Sequence, residues 1–237
     1  MNVNRFSDRY DAGRQLGDAL SRFRETDPIV LGLPRGGVPV ASEAAKALHA
    51  PLEVLVVRKL GAPWRPELAI GAIGEGGAHY VDDALVHALG VSGAVLQAII
   101  TKETAELGRR VKRYRQDRPM LPLIGRTVII VDDGIATGAS VRAALEVVRN
   151  HHPDRVVLAA PVAAIDSVQS LDVHADQIVV LEQPRFFNSV GNWYDDFDQT
   201  TDEEVLLLLN RSTRTSARLL ATRRAPATDL PQEAPLP

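Results

Sequence analysis

Six continuous apolar runs, rich in β-branched residues, fall at residues 29–33, 54–57, 69–73, 128–131, 156–160 and 178–181. A strand with one wet face alternates apolar and polar residues, whereas a strand covered on both faces reads apolar throughout. Helical patterns near 7–24, 38–49, 92–118, 139–150 and 165–173 lie between these runs and supply the covering layers. Pro153, directly after His151 and His152, stops the fourth of them. This alternation predicts right-handed βαβ units, hence an α/β fold with a mainly parallel twisted sheet flanked by helices. Ligands of such sheets bind beyond the carboxyl ends of the strands.

Composition narrows the function classes. The chain has 237 residues, 45% hydrophobic and 24% charged, enough for one sizeable core plus a small appendage. A net charge of −3 gives no reason to expect nucleic acid or an anionic membrane as partner. Without cysteine there is no disulfide, thiolate metal site or Cys nucleophile. The polar opening, MNVNRFSDRYDAGRQ, lacks an apolar signal region, and no apolar run nears the roughly 18 residues of a membrane span. A cytoplasmic protein is the expectation. The six histidines form no helical metal pair with a nearby acid, and a Gly-x-Ser-x-Gly elbow is missing. Residues 211–237, rich in Arg, Thr, Ala and Pro, read as a disordered tail after a domain spanning 1–210. The long helical stretch ends in Arg109, Arg110, Lys112, Arg113, Arg115 and Arg118. Cations at a helix's negative end form an ordinary solvated face, and an anion-binding surface is the alternative.

Residues 128–140, VIIVDDGIATGAS, carry the chemistry. A strand runs into two carboxylates, and the chain must then turn sharply into the helix near Ala139. Gly134 and Gly138 permit the turn. The loop and first helical turn offer unpaired N–H groups and the positive end of a helix dipole, and Thr137 and Ser140 add hydroxyls. That is a phosphate cradle, and without the lysine of a Walker A loop it does not indicate an NTPase of that class. Asp132 and Asp133 suit sugar hydroxyls or hydrated Mg²⁺. A phosphorylated ribose satisfies both halves.

The stretch closely resembles the 5-phosphoribosyl-1-pyrophosphate (PRPP) motif of type I phosphoribosyltransferases. The resemblance implies that family's fold, with a small hood. It also implies ribose binding by Asp132 and Asp133, and 5′-phosphate binding by the loop of Gly134, Ile135, Ala136, Thr137, Gly138, Ala139 and Ser140. Residues 32–41, GLPRGGVPVA, resemble the family's pyrophosphate loop, often built on an unusual peptide geometry, which assigns Arg35, Gly36 and Gly37 to that group. Residues 57–63, VRKLGAP, are similar to the Arg-Lys-x-Gly stretch of adenine phosphoribosyltransferases and give Arg58 and Lys59 the same ligand. Arg35 and Lys59 are the implied catalytic cations. Residues 64–77 are where a mobile loop is expected. The glycines there fit a dinucleotide fingerprint poorly, because no helix follows directly.

Five of the eleven aromatics lie in residues 183–199, QPRFFNSVGNWYDDFDQ. They suggest a base-stacking hood, with Phe186, Phe187 and Trp193 as candidates, and a satellite core or a dimer contact reads as well. The implied reaction transfers phosphoribose from PRPP to a nitrogenous base or related acceptor, releasing pyrophosphate. Mg²⁺ is the implied cofactor, held mainly through PRPP and water, with Asp132, Asp133 or Asp195 as the available protein ligands. Ala136 stands where hypoxanthine- and guanine-specific enzymes carry a carboxylate, so the acceptor is open. A closer overall resemblance, over residues 5–209, is to a bacterial group of phosphoribosyltransferases of uncharacterised acceptor. Homodimers are common in the family, though no residue pattern here demonstrates one. A regulatory module that binds PRPP without transfer is the rival reading.

Overall fold

The computed structural model describes residues 5–116 and 118–212. Five parallel strands form the main sheet: β1 (Ile29–Gly32), β2 (Leu52–Val54), β6 (Thr127–Val131), β7 (Arg155–Val162) and β8 (Gln177–Glu182). They lie side by side in the order β2–β1–β6–β7–β8. Four of the six continuous apolar runs work as expected. Val30, Ile129, Val131 and Val157 point into one core, while Ile29, Leu31, Ile130 and Leu158 point into the other, all fully buried. Helices α1 (Arg9–Ala19) and α2 (Gly37–Leu48) cover the first face; α5 (Ala139–Arg149) and α6 (Ile165–Leu171) cover the second.

The second sheet is antiparallel and consists of β3 (Val57–Ala62), β4 (Arg65–Gly74) and β5 (His79–Val81), paired in that order. One apolar run, 69–73, therefore lies wholly outside the parallel sheet, and another, 54–57, only begins in it. The run at 54–57 straddles the end of β2 and the start of β3, and the run at 69–73 lies inside β4. The physical reason is burial on both sides. Leu60, Ile70 and Ala72 are fully or almost fully covered, so this sheet copies the signature of a parallel one. Gly74 lies so close to α5 that a Cβ there would stand 2.3 Å from Val147 Cγ1. The expected mobile loop at 64–77 is mostly strand, with Trp64 at the exposed hairpin tip.

Two short elements escaped the sequence reading, β5 and α3 (Asp83–Ala88), the latter capped by Asp82 Oδ1 accepting from Leu85 N–H at 2.9 Å. The long helix α4 (Gly93–Arg115) starts at Ser92, whose Oγ accepts from Val95 N–H at 3.4 Å. Its last residue turns inward. Arg115 is 4% exposed and bridges Glu53 of β2 and Glu75 after β4, while also donating to the Val54 carbonyl at 2.7 Å. This buried ion cluster joins α4, the main sheet and the small sheet. A last helix covers residues 202–212, reaching two residues past the expected domain end at 210. The rest of the expected tail, 213–237, lies outside the described residues.

Candidate functional site

Strand β6 delivers Asp132 and Asp133 to the carboxyl edge of the sheet. The loop that follows is stitched to its neighbour: Ile135 N–H donates to Val162 O at 2.9 Å, and Ala164 N–H returns a bond to Ile135 O at 2.9 Å. Ser167 Oγ donates to the Ala136 carbonyl, which fixes the loop from beneath. Gly138, with φ of 72°, forms the left-handed turn into α5. Ile135 is buried and anchors the loop, whereas Ala136, Thr137 and Ser140 remain exposed at the mouth. A loop so anchored keeps its outward amides in place for an anion.

The PRGG loop lies directly against this turn. Leu33 N–H donates to Val131 O at 2.9 Å, and the Pro34–Arg35 peptide is cis. A Cβ on Gly36 would stand 2.0 Å from Asp133 Oδ2, and one on Gly37 would stand 2.6 Å from Val131 O. Contact with the acidic turn thus demands glycine at both positions. A cleft of about 430 Å³ opens between Leu33, Pro34, Arg58, Lys59 and Ser140, bringing three separate sequence segments together. The Arg58 guanidinium is paired with Glu103 of α4, at 2.6 Å. Arg35 lines an adjoining cleft with Arg109, Arg110 and Arg113.

Sequence reasoning missed the partners of Asp133. Arg9, from the first turn of α1, donates through Nε to Asp133 Oδ2 at 2.8 Å and through Nη1 to the Asp198 carbonyl at 2.7 Å. Its guanidinium stacks 3.8 Å above the Phe197 ring. Tyr194 donates its hydroxyl to the Asp133 carbonyl at 2.6 Å. Arg9 lies 124 residues from its partner, and nothing local to it signals the pairing. Burial, and then the neighbouring charge of Asp133, holds Asp132 well above the usual carboxylate range. Burial also pushes Asp133 up, against the opposing pull of Arg9. The pair therefore binds best a ligand that brings hydroxyl donors or positive charge.

Residues 183–199 cross the same edge. Val190 packs on Gly134, where a Cβ would stand 2.4 Å from Val190 Cγ1. Tyr194 is buried with Phe6, and Trp193 and Phe197 pack around them in a satellite cluster. Phe186 is 89% exposed, Phe187 is half-buried, and Asp195 is exposed and faces Arg5 at 3.8 Å. Among the described residues no cluster of three or more His, Asp or Glu could hold a metal ion by itself.

The family model for the phosphoribosyl transferase domain matches residues 10–192. Two Mycobacterium tuberculosis proteins, from strains H37Rv and CDC 1551 and provisionally named phosphoribosyl transferases, are 50% identical over 209 residues. The match covers 88% of this chain but 47% of theirs, so the chain spans about half the length of these relatives. The crystal structure of the Thermus thermophilus protein TT1426 superposes with a TM-score of 0.81 at 44% identity, covering 87% of this chain and 98% of that one.

Proposed function

Because the chain belongs to the phosphoribosyltransferase family, we propose that it binds PRPP and transfers its phosphoribosyl group to a nitrogenous base or related acceptor. The observation that carries this reading is the contact between the two loops, with Gly36 packed on the Asp133 carboxylate. A sugar held by the acids then has a diphosphate loop on one side and a phosphate loop on the other. In this reading Asp132 and Asp133 accept from the ribose hydroxyls, and the 135–140 amides hold the 5′-phosphate. Lys59, Arg58 and the backbone of the PRGG loop face the diphosphate, while the Arg35 side chain lines the adjoining cleft.

Bond balance asks little acid–base chemistry of the protein. The bond from the anomeric carbon to the diphosphate oxygen breaks, and its electron pair leaves with pyrophosphate. The acceptor nitrogen supplies the pair for the new bond and gives its proton to solvent. The residues' work is to orient the sugar and to stabilise charge on the departing group. The donor set suits Mg²⁺ only in part. Asp133 is already neutralised by Arg9, so Asp132 and ligand oxygens are the partners that remain. When bound, Mg²⁺ would neutralise diphosphate charge.

The direct test incubates the protein with PRPP, Mg²⁺ and a panel of bases and follows pyrophosphate release. Release with one base supports transfer, and no PRPP binding at all overturns the reading. A second reading, a PRPP-binding regulatory module, is favoured by one feature. Asp133 and Arg58, two of the charges assigned to the ligand, are paired inside the protein with Arg9 and Glu103. PRPP binding without release on any base would select it.

A further inference from the structure

We propose that the cleft between the PRGG loop and the last turns of α4 is a second anion site, taking the diphosphate group of a ligand. It encloses about 310 Å³ and adjoins the larger cleft, with which it shares Pro34 and Arg110. Four guanidiniums line it, from Arg35 on the loop and Arg109, Arg110 and Arg113 on the helix. From sequence, the helical arginines looked like a solvated face at a helix end. What the fold adds is Arg35, brought from a different element to the same space. Among the described residues Arg35 forms no ion pair.

The other three are held by carboxylates. Glu106 accepts from Arg109 Nε and Nη2 at 2.8 Å each and from Arg110 Nε at 2.8 Å. Arg113 is gripped by Asp202 at 3.0 Å and Glu203 at 3.2 Å. These exposed pairs hold the side chains in place without using all five donors of each guanidinium. Asp202 is the acid on the lining, and it is already engaged, accepting from the Tyr114 hydroxyl at 2.5 Å and pairing with Arg113. Planar forks converging from two elements fit a multiply charged phosphate better than a carboxylate or a lone halide. The volume admits a diphosphate group. The shared wall at Pro34 and Arg110 puts it within reach of a ligand in the larger cleft.

The test is calorimetric titration of the full chain with inorganic pyrophosphate, then with adenosine diphosphate. Two equivalents per chain are expected. In R109A/R113A one equivalent is lost or weakened at least tenfold, and in Lys59→Ala the other is. Both arginines are exposed, and circular dichroism verifies that the double variant folds. Equal affinity for the two probes shows that the diphosphate alone is recognised, and tighter binding of the nucleotide shows that a nucleoside is read as well. Either result supports the site. A single equivalent that survives R109A/R113A overturns it, as does displacement of the diphosphate by single-stranded RNA at lower concentration than by adenosine diphosphate. A single equivalent lost in R109A/R113A but kept in Lys59→Ala would leave this site standing and remove the PRPP reading of the larger cleft.

Discussion

Arg115→Ala removes the cation of the buried cluster and leaves Glu53 and Glu75 facing each other, with only the weaker pull of Arg118 on Glu53 remaining among the described residues. The Arg115 and Glu75 side chains are 5% and 7% exposed, and Glu53 is 18%. Breaking a buried pair by deleting one partner costs roughly 3–5 kcal/mol. Loss of the bond to the Val54 carbonyl adds about 1 kcal/mol, and the partial wetting of Glu53 offsets a similar amount. We expect a loss of about 4 kcal/mol at pH 7, read by urea denaturation, or a fall of roughly 8–16 °C in Tm. The deficit also depends on pH with a definite sign. Burial already raises Glu53 above its usual range, while Arg115 pulls it down. Deleting Arg115 raises it further, so the variant's penalty is largest where unfolded glutamate is ionised. That penalty shrinks as pH falls from 7 towards the unfolded value near 4.3. Replacing the whole triad by Met and Gln (R115M with E53Q and E75Q) should recover most of the loss. A deficit below about 1 kcal/mol, or one that does not change between pH 7 and 4.5, would refute the reasoning.

Three further variants test the site and its supports. Gly36→Ala places a methyl 2.0 Å from Asp133 Oδ2, so PRPP affinity by calorimetry should fall at least tenfold with little change in Tm. Arg9→Ala leaves Asp133 unanswered in a half-buried place and pushes its carboxyl higher. PRPP binding should weaken about tenfold near pH 6 and recover as pH rises, whereas equal or tighter binding throughout would mean that Arg9 merely competes with ligand. Gly74→Ala drives a methyl into Val147 and should cost about 1–3 kcal/mol in urea denaturation, relieved in part by adding Val147→Ala.

The sequence signal was strongest where one residue type has one physical use. The turn at Asp132 to Ser140 and the start of α5 at Ala139 were legible, because acids, glycines and hydroxyls in that order leave few alternatives. The two-faced burial of β1, β6 and β7 was equally plain. The same rule misplaced the run at 54–57, since a continuous apolar run reports coverage on both faces and not the direction of its neighbours. Strand β5 and helix α3 are too short to build a period. Arg9 and Tyr194 stayed hidden for another reason. Each is unremarkable in its own segment and acquires a role only when residues 6, 133 and 194 converge. Of the aromatics between 183 and 199, packing against Phe6 accounts for Tyr194, Trp193 and Phe197, a satellite-core role that composition left level with base stacking.

Strand β1 pairs with β2 on one side and with β6, almost a hundred residues later, on the other. Between β2 and β6 in the chain lies the whole antiparallel sheet, made of local hairpins. As the chain leaves the ribosome, that sheet can close while β1 still has one unpaired edge. Pulse-labelled hydrogen exchange should therefore protect Leu60 and Ile70 before Leu33, whose N–H donates to Val131 O, and the reverse order would contradict this. Gly36 is made long before the carboxylate it must accommodate, and Arg9 waits longer still, until Tyr194 and Phe197 arrive. The acidic turn is thus completed late in synthesis, and a nascent chain that ends before Tyr194 would carry most of the fold without the partners of Asp133.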